Sequence, residues 1–548
     1  MDTPTVHSSA AEGLRLLEAA QWDAARQAFE ASLASADTPD ARDGLGLALW
    51  FLGHVEDGID LRAQAFEAYA RAGRCDIAAR VGVWVSHQYL LAGRSSAARG
   101  WLARADRAAT GTDCDGRGWI AVERARHSRD IAERADLARG AMTIARRSGD
   151  ADLEVFALSL LGLTEVQAGN LAAGMELMEE AMAAATAGRV RNVHTLAEAY
   201  CNLIKAATDA GDWDRATEWC DHVDRFARDT GAIPLLGVCR TIHADVLVAR
   251  GRWIEAEQAL AFALDTHARF VPAMGSAGLA SMAELRVRQG RLTEAEQLLA
   301  GREEHASSLC ALARLRIADG RPGVAVALLE RVLGAAEGDA VRSTRILAPL
   351  VEARLATGDL DAADEAAGRL ATLAQDSGIL VVEGRARLAA ALVAVARGRL
   401  DDVVEPARRA LAAFARLGMP LDVGESRLLL ARALMATAPD AARDEARAAL
   451  GAFRELGAAR AVDAAAAVLR ELGEATGAGP RGHGDLTARE EEVLALLQRG
   501  MTNAGIAATL VISEKTAGHH VSRILAKLGV RNRAEAAVVG RGPEMGRT

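Results

Sequence analysis

The stretch Gly251-Arg-Trp-Ile-Glu-Ala-Glu-Gln-Ala-Leu-Ala-Phe-Ala-Leu264 holds a pattern that recurs along most of the chain. A small residue is followed two places on by an apolar residue, and five places on by another small or apolar one. Here these are Gly251, Trp253 and Ala256. Glycine ends a helix because it takes the left-handed conformation without a Cβ clash. The apolar residue pins the start of the next helix, and the small one lets the two helices approach closely. Downstream, Ala256, Leu260, Ala263 and Leu264 keep helical spacing.

Clear copies begin at Gly211, Gly290, Gly358 and Gly398, and weaker ones at Ala20, Gly53, Gly93, Gly169 and Gly320. From Gly53 onward the starts are 40, 76, 42, 40, 39, 30, 38 and 40 residues apart. The long interval spans two periods, with a degenerate copy near His127-Ser128. A period near 40 marks stacked helical pairs. No pair can bury its apolar face alone, so the pairs must stack into a solenoid. Trp22, Trp213 and Trp253 share one repeat position and are expected as core anchors, as are Phe29, Tyr69, Tyr89 and Tyr200.

Composition agrees. The chain has 548 residues, of which 122 are alanine, 11 are proline and 4 % are aromatic. Alanine is the best helix former and a poor strand former, so the expected class is all-α. No run of eighteen apolar residues suggests a membrane span. The N-terminus lacks a basic stretch followed by an apolar core, so no secretory signal is expected. The six cysteines are scattered without C-x-x-C pairs or neighbouring histidines at ligand spacing. Neither a disulfide framework nor a metal site is expected, and the cytoplasm fits best.

Charge divides the chain. The net charge is −9, yet residues 485–548 carry nine basic and seven acidic groups, and 513–533 carry five basic and one acidic. Only three lysines occur (Lys205, Lys515, Lys527), two of them in this end. A small basic element on an acidic body suggests one part that meets a polyanion. Three regions follow: a helical repeat body over 1–472, a glycine-rich flexible joint over 473–484, and a terminal domain over 485–548.

The terminal domain reads as four helices. The first opens at Thr487, with Glu490 completing a capping box, and stops at Gly500. The second runs from near Thr502 to Leu510. The third opens at Ser513 and runs to Leu528, and the fourth opens at Asn532 with Glu535 three residues on. The short connection Val511-Ile512 forces helices two and three into a sharp crossing, the layout of a helix-turn-helix. In the third helix, Ala517, Val521, Ile524, Leu525 and Leu528 form an apolar stripe. Lys515, His519, Ser522, Arg523 and Ala526 fall opposite, a face suited to a DNA groove. Lys527, Arg531 and Arg533 continue the positive charge toward phosphates.

This segment resembles the LuxR-type helix-turn-helix domain. The matching words are Leu486-Thr487-Ala488-Arg489-Glu490, Gly500-Met501-Thr502-Asn503, Ile506-Ala507-Ala508-Thr509-Leu510, Ser513-Glu514-Lys515-Thr516, His520, and Ile524-Leu525-Ala526-Lys527-Leu528-Gly529-Val530. The resemblance implies that the third helix reads the major groove of double-stranded DNA and that the fourth supports a homodimer. It implies positioning contacts from Asn503, Lys515, Thr516, His520 and Lys527, with His519, Ser522 and Arg523 facing the bases. The chain departs from the family at Ala504-Gly505, where lysine and glutamate are usual, and at Ala517-Gly518, where Val-Lys is frequent.

The body resembles tetratricopeptide-type repeats in pattern, though its period is longer. That resemblance implies a surface for a protein, peptide or small-molecule effector. RNA polymerase is a further candidate partner. No ATP-binding loop exists, because no lysine follows a glycine anywhere. No catalytic motif occurs in a supporting context, so neither an enzyme nor a cofactor is expected. The expected function is a DNA-binding transcriptional regulator. The alternative is an adaptor solenoid that uses the helix-turn-helix as a dimerisation module.

Overall fold

A computed structural model describes residues 4–110, 114–188, 190–231, 233–303, 305–474, 488–510, 513–528, 530, 532–533 and 535–536. The chain divides into two compact units, Met1–Leu472 and Gly473–Thr548. The expected joint at 473–484 lies mostly outside the described residues.

Among the described residues, the first unit is built from 25 α-helices. They form twelve hairpins closed by a last single helix, Ala459–Glu471. Every recurring turn read from the sequence closes a hairpin. Gly53, Gly93, Gly169, Gly211, Gly251, Gly290, Gly320, Gly358 and Gly398 all have positive φ. Ala20 holds the same place at φ 55°, the only non-glycine to do so among the described residues. At Gly211 the hydrogen bonds show how the turn works. The Asp212 N–H donates back to the Ala207 carbonyl at 2.9 Å, closing one helix. The Asp212 carboxylate then accepts from the Arg215 N–H at 3.2 Å, opening the next.

Two hairpins turn differently. At His127-Ser128 no residue enters the left-handed region, and Asp130 caps the following helix instead. The twelfth hairpin, between Pro420–Leu434 and Pro439–Leu456, was not legible as a copy. It has no glycine, and a proline in the first helical turn presets the backbone instead.

The fifth-place residues Ala98, Ala216, Ala256, Ala295, Ala325, Ala363 and Val403 are all buried. Two hairpins close more tightly still. A Cβ on Gly58 would meet the Gly46 carbonyl oxygen at 2.7 Å, and one on Gly174 would meet the Gly162 carbonyl oxygen at 2.7 Å. The tryptophans are core, as expected: Trp22, Trp213 and Trp253 are buried, with Phe29, Tyr69 and Tyr200. Tyr89 is only half-buried. Trp253 also donates its indole N–H to the Val248 carbonyl at 3.0 Å, in the last turn of the preceding helix.

The solenoid winds tightly enough for successive windings to touch. Trp22 Nε1 donates to the Thr230 carbonyl at 2.7 Å, across 208 residues or about five periods. Gly53 faces Phe270, Gly211 faces Leu417, and Gly251 faces Pro420 and Leu456. One apolar cluster therefore unites Trp253, Ala256 and Leu260 with Leu421, Leu450 and Phe453. Turn glycines thus serve twice, inside a hairpin and against the next winding.

The inner side of the winding is charged. Arg385 pairs with buried Asp422 at 2.6 Å, and Glu284 sits 3.2 Å from both Arg288 and Arg314. Burial alone would raise Glu284, but Arg314, Arg288 and Arg345 outweigh it and hold the carboxyl at about 2. Glu425 goes the other way. Burial, then Asp422 and Glu352, push it up to about 7.

Gly174→Ala sets a methyl against backbone that cannot rotate away, so it should cost about 1–3 kcal/mol despite about 1 kcal/mol of gained helix propensity. Gly368→Ala, with open space at its Cβ, should stabilise by about 1 kcal/mol. Thermal midpoints of the two variants should move in opposite directions. For Glu425, the folded value lies above the ordinary 4.5. Stability is therefore complete below about pH 4.5 and falls as pH rises through 7. Glu425→Gln should raise the midpoint at pH 8 and leave it near wild type at pH 4.5. A variant less stable than wild type at pH 8 would contradict this.

Candidate nucleic-acid interface

The second unit places three described helices, Ala488–Gln498, Asn503–Leu510 and Glu514–Leu528. Each boundary has a local cause. Gly500 takes φ 79° and ends the first helix, with the Met501 N–H donating back to the Leu496 carbonyl at 3.2 Å. Thr502 caps the second helix, its hydroxyl accepting from the Gly505 N–H at 3.2 Å. Ser513 caps the third, its Oγ accepting from the Thr516 N–H at 3.1 Å and lying 2.6 Å from the Thr516 hydroxyl. Beyond it, Asn532 and Glu535 cap each other. The Asn532 Oδ1 accepts from the Glu535 N–H at 2.9 Å, and its Nδ2 donates to the Glu535 carboxylate at 2.7 Å. The Thr487 and Val511-Ile512 expectations lie outside the described residues. Glu490 is fully buried.

One apolar core holds these helices together. Val493, Leu496 and Leu497 from the first helix meet Ile506 and Ala507 from the second and Ala517, Val521 and Ile524 from the third. Leu525 and Leu528 pack at its edge. The stripe read from the sequence is therefore the inward face of the third helix. That fixes its other face by geometry, since residues four apart stack and successive residues are turned by about 100°. Positions 515, 519, 522, 523 and 526 lie away from the core.

Ser522 and Thr516 are exposed, and His520 is half-buried on the flank of the core stripe. The helix backbone carries Lys515, His519, Arg523 and Lys527, but their side chains lie outside the described part, as does Arg531 entirely. Asn503 is half-buried, and its Nδ2 lies 3.5 Å from where a Cβ on Gly518 would stand. The Asn503 carboxamide thus packs over the third helix at Gly518, at a distance a Cβ there would meet as ordinary contact. Its Oδ1 has no hydrogen-bond partner among the described residues. Arg533, expected only as a diffuse phosphate contact, donates to the Met501 carbonyl in the turn after the first helix.

The fifteen-residue third helix is about 22 Å long at 1.5 Å per residue. Its outward row offers hydroxyl, imidazole and guanidinium residue types over a segment of strong positive charge. Arginine suits paired acceptors on guanine, and the shorter groups suit base edges or phosphates.

Sequence reading missed groupings assembled across repeats. Cys75, Asp76 and Cys114 bring three potential donors within 4.8 Å of one another. Burial and then Asp76 push the Cys114 thiol up, so it stays protonated. All six cysteines are free. His87, Glu123, Arg126 and Glu198 form a second cluster from separate hairpins. Spacings near the repeat length hid both.

Residues 485–539 match the family model of bacterial regulatory proteins, luxR family. Similar curated proteins include the transcriptional regulatory protein LnrK of Bacillus subtilis, 54 % identical over 54 residues, which are 10 % of this chain and 24 % of that one. The DNA-binding transcriptional activator DevR/DosR of Mycobacterium tuberculosis is 42 % identical over 91 residues, 16 % of this chain and 41 % of that one. The chain thus spans about a quarter to two fifths of the length of these relatives. The spore germination protein GerE of Bacillus subtilis is 49 % identical over 53 residues, 10 % of this chain but 72 % of that one. Among solved structures, yeast Tom70 aligns with 81 % of this chain and 99 % of its own at 9 % identity and TM-score 0.33. The APC/C hetero-tetramer Cut9–Hcn1 aligns with 85 % and 93 % at 11 % identity and TM-score 0.33. Through this terminal domain, which covers most of GerE at half identity, the chain belongs to the luxR family of bacterial regulatory proteins.

Proposed function

We propose that the chain is a transcriptional regulator that binds double-stranded DNA through the helix Glu514–Leu528 and receives a protein, peptide or small-molecule signal on its helical repeats. The observation that carries this reading is the division of that helix. Ala517, Val521 and Ile524 are buried, while Ser522 and Thr516 face solvent on the sides left free. His519, Ser522 and Arg523 would meet base edges. Asn503, Lys515, Thr516, His520, Lys527 and Arg531 would meet phosphates and set the register. Two copies joined through the last helix would present two such helices to a two-fold site. The site of action is the cytoplasm, where DNA is reached directly. Among the described residues no helix is long and apolar enough to cross a membrane.

The test uses the full chain and DNA fragments selected from genomic DNA by the protein itself. Binding should weaken steeply with salt, since each phosphate contact contributes about −0.9 to the log–log slope. Lys527→Ala should lower affinity alike for selected and random duplexes and flatten the slope by about 1. Arg523→Ala should instead cost about 1–3 kcal/mol on the selected site alone and narrow its preference over random DNA. An unchanged preference in Arg523→Ala would remove the base-reading assignment. No retention of any duplex by the intact chain would leave the adaptor reading.

A further inference from the structure

Cys75 and Asp76 open the helix Cys75–Leu91, and Cys114 stands just before the helix Arg117–His127. Stacking of one hairpin on the next brings Asp76 and Cys114 together across 38 residues. A Cβ on Gly116 would stand 2.6 Å from the Ala79 Cβ and 3.1 Å from the Asp76 carbonyl oxygen. Any larger residue at 116 would therefore push the Cys114 turn off the start of the first helix.

Within this junction three side chains converge on one point, and their bonds show it directly. The Cys114 Sγ donates to the Asp76 Oδ1 at 3.0 Å, and the Cys75 Sγ donates to the same oxygen at 3.8 Å. The two sulfurs and the carboxylate oxygen all lie within 4.8 Å of one another. The Gly116 N–H donates to that oxygen as well, at 3.1 Å, and fixes how the carboxylate is turned. Among the described residues no other three His, Cys, Asp or Glu side chains bring their donor atoms so close together.

The distances suit a tetrahedral ion. Zn–S bonds of about 2.3 Å and a Zn–O bond of about 2.0 Å set two sulfurs about 3.8 Å apart, and sulfur and oxygen about 3.5 Å apart. The 3.0 and 3.8 Å between sulfur and oxygen bracket that last value, so side-chain rotation suffices to close the site. The donor types narrow the choice of metal. Thiolates select zinc and its thiophilic neighbours, whereas Mg2+ and Ca2+ take oxygen ligands. Three protein ligands leave the fourth position to water.

Burial and charge fit the same ion. Cys114 is 1 % exposed within an apolar cluster, Cys75 packs half-buried beside it, and Asp76 is exposed. The thiols thus sit toward the core and the carboxylate toward solvent, the side from which an ion enters. Two thiols and one carboxylate carry a single negative charge. Two thiolates, one carboxylate and a dication carry the same, the two thiol protons passing to solvent. The exchange therefore adds no net charge to a half-enclosed site.

We propose that Cys75, Asp76 and Cys114 bind one Zn2+ ion, which clamps the start of the helix Cys75–Leu91 to the turn before Arg117–His127. The site stands on the geometry of the body alone and does not depend on the regulator reading.

The test uses the full chain, reduced with a phosphine and stripped of metal by a chelator. Titration with Co2+ should saturate at one ion per chain, with the visible bands of a tetrahedral ion and a near-ultraviolet thiolate band. Zn2+ should then bleach both. Loss of an outer-shell partner typically weakens a metal by roughly 10–100-fold, and a ligand should count for more. Cys75→Ser and Cys114→Ser should each weaken Zn2+ by about a hundredfold or more and cut the thiolate band by about half. Excess Zn2+ should raise the thermal midpoint of the wild type and leave that of Cys75→Ser unmoved. If Cys114→Ser fails to fold, Cys75→Ser at the half-buried position decides. Cys201 lies 3.6 Å from Cys239 and offers a rival thiol pair, so Cys201→Ser should leave the spectrum unchanged. No tetrahedral Co2+ spectrum, a spectrum intact in Cys75→Ser, or one lost in Cys201→Ser would each overturn the proposal.

Discussion

The architecture depends on how closely two helices of a hairpin can approach. Helices that meet through glycine and alanine bring their backbones together, as at Gly46 with Gly58 and Gly162 with Gly174. Each such contact buries little apolar area per residue, so stability must come from repetition. Twelve hairpins supply it, and in nine of them a left-handed glycine between the helices fixes the geometry. Because that geometry repeats, the winding repeats too, and one winding returns against the next after about five hairpins. Contacts such as Trp22 with Thr230 follow from the period rather than from any local preference.

All but three of the 65 basic residues are arginine. On the inner side of the winding, basic groups sit among carboxylates with little bulk water. A planar guanidinium can serve two carboxylates at once and stays charged there, which a lysine does not do as well. Arg288, Arg314 and Arg345 together keep Glu284 ionised. Where carboxylates outnumber such partners, as at Glu425 beside Asp422 and Glu352, the acid rises toward neutrality. The interior is thus balanced group by group, not by net charge.

Much of this was legible in the sequence, and the boundary of legibility has a physical cause. Local chemistry marks a turn: the recurring pattern that starts on a small residue, glycine in nine cases and Ala20 in a tenth, located ten of the twelve hairpins, and the degenerate copy near His127-Ser128 an eleventh. The twelfth escaped because Pro439 does the work of a glycine. Amphipathic spacing also located the core of the terminal domain, since Ala517, Val521 and Ile524 share one face of a helix. What sequence could not show are groupings made by stacking. Cys75 and Cys114 belong to separate repeats, and their spacing near one period gives no sign that they meet at Asp76. Likewise Gly518 reads as a lost lysine, and nothing in the sequence around it announces that Asn503 packs beside it on the third helix.

The split between the two units then has an electrostatic logic. In the body, many arginines are engaged with nearby carboxylates, and Lys205 is paired with Asp209. Such charges add little attraction for an external polyanion, because each positive group already faces a negative one. The segment 513–533 is different, with five basic residues and a single acid. One copy of so small a segment neutralises few phosphates, and affinity grows with the number neutralised. In the regulator reading, doubling the segment through a second copy is the direct way to reach useful affinity without making the body basic. In that same reading the acidic body would repel DNA and so favour contact through the basic segment.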